Sequence, residues 1–202
     1  MARGSSAAPP ELRQYRQRAM NHTGNFRLAV PVNSTDHTVG EPHAAAIVVE
    51  YGDFQCPNCK QAAPAVKLLL EKFAGRVRFV FRHFPLEEIH PQALLAAEVA
   101  EVGAAQGKFW PMYDLLFEHQ LQLQPKDLYR YGQRAQLDMA RYTAELDDHI
   151  YLQRVREHEQ SGRLSGVRAT PTFFVNDSIE DVSFGLQRLF DAVESRLAPQ
   201  RR

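Results

Sequence analysis

The chain has 202 residues, 24 of them basic and 24 acidic, so it carries no formal net charge, and 44% of its residues are hydrophobic. That length accommodates one or two domains with a packed core, and the balanced charge argues against binding nucleic acid or an anionic membrane through a global field. The two cysteines cannot form a disulfide framework, so the pair is catalytic, metal-bound or incidental.

Residues 1–10, with Ser, Ala, Gly and two Pro, read as a tail, and a short helix is expected at 11–20 with Arg13, Arg16 and Arg18 on one solvated face. Residues 1–25 lack the apolar run of a secretory signal. No stretch reaches the roughly 18 apolar residues of a membrane span. A cytoplasmic location is expected, or a periplasmic one if the native chain starts elsewhere. Phe26 to Val30 is a candidate extra strand, and Asn33 to His43 reads as a loop punctuated by Gly40 and Pro42.

Ala46-Ile-Val-Val-Glu50-Tyr51 is rich in β-branched residues and predicts a core strand. From Pro57 to Phe73 the residues Ala62, Ala63, Val66, Leu69, Leu70 and Phe73 recur at helical spacing, with Lys60, Lys67 and Glu71 opposite. Pro64 lies within this helix and cannot donate to the carbonyl of Lys60, so a kink is expected there. Gly75 ends the helix, and Arg76 to Arg82 alternates basic and apolar residues as a half-exposed strand would. Strand, helix and strand predict a right-handed parallel unit.

The chain then makes an excursion from about Pro85 to Arg168, far longer than an ordinary crossover needs. Helices are expected over Gln92 to Val102, around Phe109, Tyr113, Leu116 and Phe117 after breaks at Gly103 and Gly107, and from Pro125 with Leu128 and Tyr131. Asp138 is placed to cap a fourth, with Met139, Tyr142 and Leu146, and Ile150 to Leu164 gives a fifth. Residues 85–165 thus read as an inserted helical subdomain. Gly166 to Val175 returns as a strand led by Thr170-Pro171, Asn176-Asp177 suits a hairpin turn, and a short strand is expected near Ile179 to Ser183. Phe184 to Leu197 closes the chain as a helix, with Leu186, Leu189, Phe190, Val193 and Leu197 on one face.

The chemistry concentrates in Cys56-Pro57-Asn58-Cys59, where the strand hands over to the helix. A thiol at a helix N-terminus faces unpaired N–H groups and the positive end of the helix dipole, which stabilise its thiolate. Such sites lower a cysteine pKa from ~8.5 toward ~3.5 to 7.5. Pro57 suits the first turn because it has no N–H to leave unpaired. Cys59, one turn on, is placed to resolve a mixed disulfide formed at Cys56. Half a zinc site is the competing reading, but it needs a second ligand pair, and the only close histidines, His37 and His43, precede the cysteines. His83, His90, His119, His149 and His158 show no ligand spacing. The basic and aromatic residues at 76–84 fit an alternating strand better than a nucleic-acid face.

Cys56-Pro-Asn-Cys59 after a strand, a helical insertion, and Ala169-Thr170-Pro171-Thr172-Phe173 opening a later strand together resemble the DsbA-like branch of the thioredoxin superfamily. Tyr51 to Cys59, Arg82-His-Phe-Pro-Leu86 and Gly107-Lys-Phe-Trp110 resemble its signatures, and the similarity covers roughly residues 38–198. It implies an α/β thioredoxin-like fold in which 26–84 and 166–198 form the sheet domain around the inserted helices. It further implies a cis Thr170-Pro171 bond beside the dithiol, a Thr170 backbone that pairs with substrate peptide, and Glu50 as a buried acid assisting proton transfer from Cys59. By alternation along its strand, Glu50 could instead be exposed, the less favoured reading.

The expected activity is thiol–disulfide exchange with protein or peptide substrates and a redox partner, with no separate cofactor beyond a Cys56–Cys59 disulfide and no metal. The alternatives are a redox-responsive binding protein without turnover and a zinc-holding module. Where the best-known periplasmic members carry His between their cysteines, this chain has the uncharged Asn58, so a less oxidising pair is expected. Asp53, three residues before Cys56, is expected either to oppose the thiolate or to cap the helix.

Overall fold

The computed structural model describes residues 26–183 and 185–198. The expected tail, the helix at 11–20 with its arginines, and Phe184 lie outside the described residues. The elements in chain order are β1 (His37–Gly40), β2 (Ala46–Gly52), α1 (Pro57–Lys72), β3 (Val77–His83), α2 (Ala93–Ala105), α3 (Phe109–Glu118), α4 (Pro125–Arg134), α5 (Met139–Asp147), α6 (Leu152–Leu164), β4 (Thr172–Val175), β5 (Ser178–Glu180) and α7 (Gln187–Leu197).

The strands form one mixed sheet in the order β1-β3-β2-β4-β5. β2 and β3 are parallel, joined by α1, with Glu50 opposite Phe81. β4 pairs antiparallel with β2 on its other side, setting Glu50 opposite Phe173 and Tyr51 opposite Thr172. Ile47, Val48 and Val49 suit a central position, because β-branched side chains pack well on a pleated surface covered from both sides. On one face Val48, Phe79, Phe81 and Phe173 pack with Ala62, Val66 and Leu69 of α1, with Leu116 of α3, and with Leu189 and Val193 of α7. On the other, Val49, Tyr51, Val80 and Phe174 pack with Phe84 and Val167. α6 lies against this second face at Gly162, where a Cβ would come within 2.7 Å of the Phe84 ring. α1 continues through Pro64.

Several expectations are corrected. β1 falls within the expected loop, where only four residues pair with β3 before Gly40 turns the chain at φ +98°. Phe26 to Val30 makes no strand; Phe26 and Arg27 make isolated bridges, that of Arg27 to Ser178. Gly103 does not break its helix but lies inside α2, where a Cβ would meet Met112 Cγ at 2.6 Å. β3 is an interior strand, and its Arg82 is 1% exposed. The Arg82 guanidinium donates to both Asp36 carboxylate oxygens at 2.8 and 2.9 Å, to the Val30 and Pro31 carbonyls and to the Tyr51 hydroxyl. A buried guanidinium is tolerable only with such a complete set of acceptors.

Candidate active site

The turn from β2 into α1 is built by Asp53. Its carbonyl accepts from Cys56 N–H at 3.1 Å, and one carboxylate oxygen accepts from Gln55 N–H at 2.7 Å. The other oxygen accepts from Leu86 N–H at 2.9 Å and pairs with His90 Nδ1 at 2.8 Å. The Gln55 side chain accepts from Gln92 N–H at 2.7 Å. Asp53 therefore anchors the turn to the loop after β3. From the opposite side, Gln120 Nε2 donates to the carbonyls of Phe54 and Cys56 at 2.9 and 2.8 Å.

Cys56 is the N-cap of α1 with extended backbone, and no side-chain oxygen caps the helix. Its sulfur occupies that place. A hydrogen bond from the Cys59 thiol, then one from the Thr170 side chain, and last the N–H groups of Cys59 and Asn58, pull Cys56 down to about 5, although its partial burial works the other way. Burial pushes Cys59 well above the ordinary thiol range, reinforced by the sharing of its hydrogen bond with Cys56 and by the charge of Glu50. The two cysteines are free thiols; Cys56 is 5% exposed and Cys59 fully buried. The Asp53 N–H points at Cys59 Sγ from 3.5 Å.

Glu50 is buried, since both faces of the sheet are covered and alternation along β2 leaves no exposed side at this point. Among the described residues neither of its carboxylate oxygens has a hydrogen-bond partner. Burial, and then the charge of Cys56, raise Glu50 to about 8. The Tyr113 hydroxyl from α3 is a second orphan, pushed well up by burial and then by the charges of Glu50 and Cys59. In sequence Tyr113 reads only as part of a helical packing stripe, and Gln120, in the turn after α3, carries no motif.

The Thr170–Pro171 peptide bond is cis, and the Cys56 thiol donates to the Thr170 carbonyl at 3.2 Å. Pro57 and Asn58 are exposed. Asn58, Gln61, Thr170, Pro171, Val182 and Leu186 line an open groove of about 520 Å³. A second groove of about 530 Å³ is lined by Leu86, Ile89, Glu159, Arg163 and Arg168, and Ala169 borders both. The structure thus brings Cys56, Cys59, Glu50, Pro57, Asn58, Thr170 and Pro171 to one end of the sheet.

Away from the dithiol, His37 and His83 both place Nε2 on one oxygen of buried Glu101, at 2.7 and 2.9 Å. This triad is a group that could hold a metal ion. Burial would raise Glu101, but the hydrogen bonds from both histidines hold it well below the usual carboxylate range. Coordination through Nε2 would place the proton of buried His83 on Nδ1, which has no hydrogen-bond partner, and would bring a dication toward Arg154, 3.8 Å from Glu101. The triad is better satisfied as a hydrogen-bonded cluster than as a metal site. Its members come from β1, β3 and α2, so no spacing in the sequence marks it.

Among the described residues, no helix is long and apolar enough to cross a membrane. A family model described as thioredoxin matches residues 32–194. The chain is 45% identical over 179 residues to Na(+)/H(+) antiporter NhaA 1 of Salinispora arenicola, a match covering 88% of this chain and 27% of the antiporter. The chain spans about a quarter of the length of the curated relatives it matches. The crystal structure of oxidised BdbD from Bacillus subtilis superposes with a TM-score of 0.75 at 23% identity, covering 83% of this chain and 95% of that one. The thiol-disulfide exchange protein alpha-DsbA2 from Wolbachia pipientis gives 0.73 at 16% identity, covering 94% and 99%. These likenesses show the fold: a thioredoxin-like α/β sheet with a helical insertion, as in DsbA structures.

Proposed function

Because the chain belongs to the thioredoxin family, an oxidoreductase family whose paired cysteines here are Cys56 and Cys59, we propose that it exchanges disulfides with protein or peptide substrates. The observation that carries this reading is two free cysteines one helical turn apart at the start of α1, with the Cys56 sulfur 3.2 Å from the Thr170 carbonyl before a cis proline; their surroundings lower Cys56 to about 5 and hold Cys59 well above the thiol range. One sulfur is a thiolate at neutral pH and can attack; the other stays a thiol until it is needed.

In the reducing direction the Cys56 thiolate attacks one sulfur of a substrate disulfide. The Cys56–substrate bond forms, the substrate S–S bond breaks, and the released thiolate takes a proton from water. Cys59 then gives its proton to the Glu50 carboxylate, whose pKa, raised to about 8 by burial and then by the charge of Cys56, comes down once that charge is consumed in the mixed disulfide, leaving a carboxylate to accept. The Cys59 thiolate attacks Cys56 Sγ and expels the second substrate thiolate. The substrate has gained two electrons and the protein holds a Cys56–Cys59 disulfide; oxidation of a substrate dithiol is the reverse. Which direction runs is set by the potential of the pair relative to that of its compartment. The Thr170 backbone beside Cys56 and the two grooves meeting at Ala169 suit an extended polypeptide.

The identity to part of an antiporter chain favours a second, compatible reading, in which the substrate thiols belong to a membrane transport protein. One experiment addresses both. Cys59→Ser should leave substrates trapped on Cys56 as reductant-sensitive mixed disulfides, and identifying them shows which proteins are served. Absence of any trapped partner from cells that retain oxidised substrates would contradict the proposed activity.

A further inference from the structure

We propose that Gln120 is a positioning residue for the Cys56 thiolate, acting from the helical insertion by fixing the peptide group that follows Cys56; this rests on the dithiol reading above. α1 opens on a sulfur where most helices place a capping oxygen. The backbone at Cys56, at φ −73° and ψ 121°, sets where its sulfur lies relative to the first-turn N–H groups of Asn58 and Cys59 that favour its charged form. The preceding peptide is fixed by the bond from Cys56 N–H to the Asp53 carbonyl at 3.1 Å. On the following side, the Cys56 carbonyl accepts from Lys60 N–H at 3.2 Å, the helix's own first bond. The shorter bond to that carbonyl, 2.8 Å, comes from Gln120 Nε2.

The same amide nitrogen donates its other hydrogen to the Phe54 carbonyl at 2.9 Å, so one side chain bridges carbonyls on either side of Gln55. Gln120 is 5% exposed, and a primary amide is the neutral group that supplies two donors from one atom. Asn is one carbon shorter. A second tie runs the other way, from Lys60 Nζ to the Glu118 carbonyl at 3.2 Å, so the end of α3 is laced to the first turn of α1. The insertion therefore holds the nucleophile's geometry as well as flanking the site. The titratable groups acting on the Cys56 sulfur, Cys59 and Glu50, are untouched by substitution at Gln120.

The test is titration of Cys56 in reduced protein, by ultraviolet thiolate absorbance and by the pH dependence of iodoacetamide alkylation. Gln120→Met keeps the length and loses both donors. Its midpoint should rise by about one pH unit from the wild-type value, making alkylation below the midpoint roughly tenfold slower, the change expected when about one hydrogen bond to the charged form is lost. Gln120→Asn keeps the amide but cannot span both carbonyls, and should shift the midpoint in the same direction by less; it also serves if the Met variant does not fold. Tyr131→Phe is the control, removing the hydroxyl that donates to the Gln122 carbonyl at 2.8 Å in the same link. It should lower the melting temperature without moving the midpoint. An unchanged midpoint in a folded Gln120 variant, or an equal shift in Tyr131→Phe, overturns the proposal. Both readouts are independent of turnover, so a wild-type protein that exchanges no disulfides would refute the activity and leave this titration interpretable.

Discussion

The Cys56 sulfur lies 3.2 Å from the carbonyl oxygen of Thr170, 114 residues further along the chain. As a thiol, Cys56 donates to that oxygen. Once ionised it has no proton to give, and its charge is favoured first by the Cys59 thiol, then by the Thr170 side chain and by the N–H groups of Cys59 and Asn58. The contact joins the start of α1 to the loop before β4, so the Cys56 sulfur and the Thr170 backbone are placed by different strands of one sheet.

Alkylation of the reduced protein should reach half its maximal rate near pH 5 at Cys56, with Cys59 unreactive through neutral pH. Peptide mapping after labelling at several pH values checks both. The folded value lies below the ordinary 9.0, so the thiolate's contribution to stability is present above that value and is lost as pH falls through about 5. The melting temperature of the reduced form, measured against the oxidised form, should therefore drop across that range.

Glu50→Gln should remove a pH dependence of opposite sign. Because burial raises Glu50 from 4.5 to about 8, its contribution is fully present below 4.5 and is lost as pH rises through about 8. Denaturant unfolding of the variant should lack that slope. Its mixed disulfide should also resolve more slowly, since Cys59 loses its proton acceptor. An unchanged slope and an unchanged resolution rate would remove Glu50 from the proton path.

Asp53→Ala should lower the unfolding free energy by about 3 kcal/mol or more, because two backbone N–H groups and His90 lose a buried acceptor together. Urea denaturation measures this. A loss within ~0.5 kcal/mol, as at an ordinary surface site, would mean that the turn is held by other contacts.

Asp36→Ala should cost about 3–5 kcal/mol by leaving the buried Arg82 guanidinium without its carboxylate. The paired replacement Asp36→Leu with Arg82→Met should lose less than the single variant, because no charge is then left unpaired. Equal losses would indicate that Arg82 is satisfied by its carbonyl and Tyr51 contacts alone.

The strand-to-helix junction at Cys56, the helix from Pro57, the Asp138 cap and the long helical excursion were legible because each has a local signature: a β-branched run, a helical stripe, or a capping oxygen that here accepts from Ala140 and Arg141 N–H. β1 was not legible because His37–Gly40 is too short to show alternation and is a strand only by pairing with β3. Arg82 looked like the exposed half of an alternating strand because its partners, Asp36, Val30 and Pro31, come from a segment with no pattern of its own. Gly103 reads as a helix breaker in sequence and is a close-packing point in space.

At the site, the cysteines and Thr170-Pro171 were visible as motifs, whereas the roles of Asp53 and Gln120 depend on contacts made across the fold. Glu50 was visible as a residue but not as a buried one, since its burial follows from helices covering both faces of the sheet.

The central claim, that the Cys56 thiolate is the attacking group of a disulfide-exchange enzyme, is tested most directly by insulin-disulfide reduction in the presence of a thiol reductant. The wild-type protein should turn over, and Cys56→Ser should fall to the uncatalysed background. Unchanged turnover in Cys56→Ser, or no turnover in the folded wild-type protein, would contradict it.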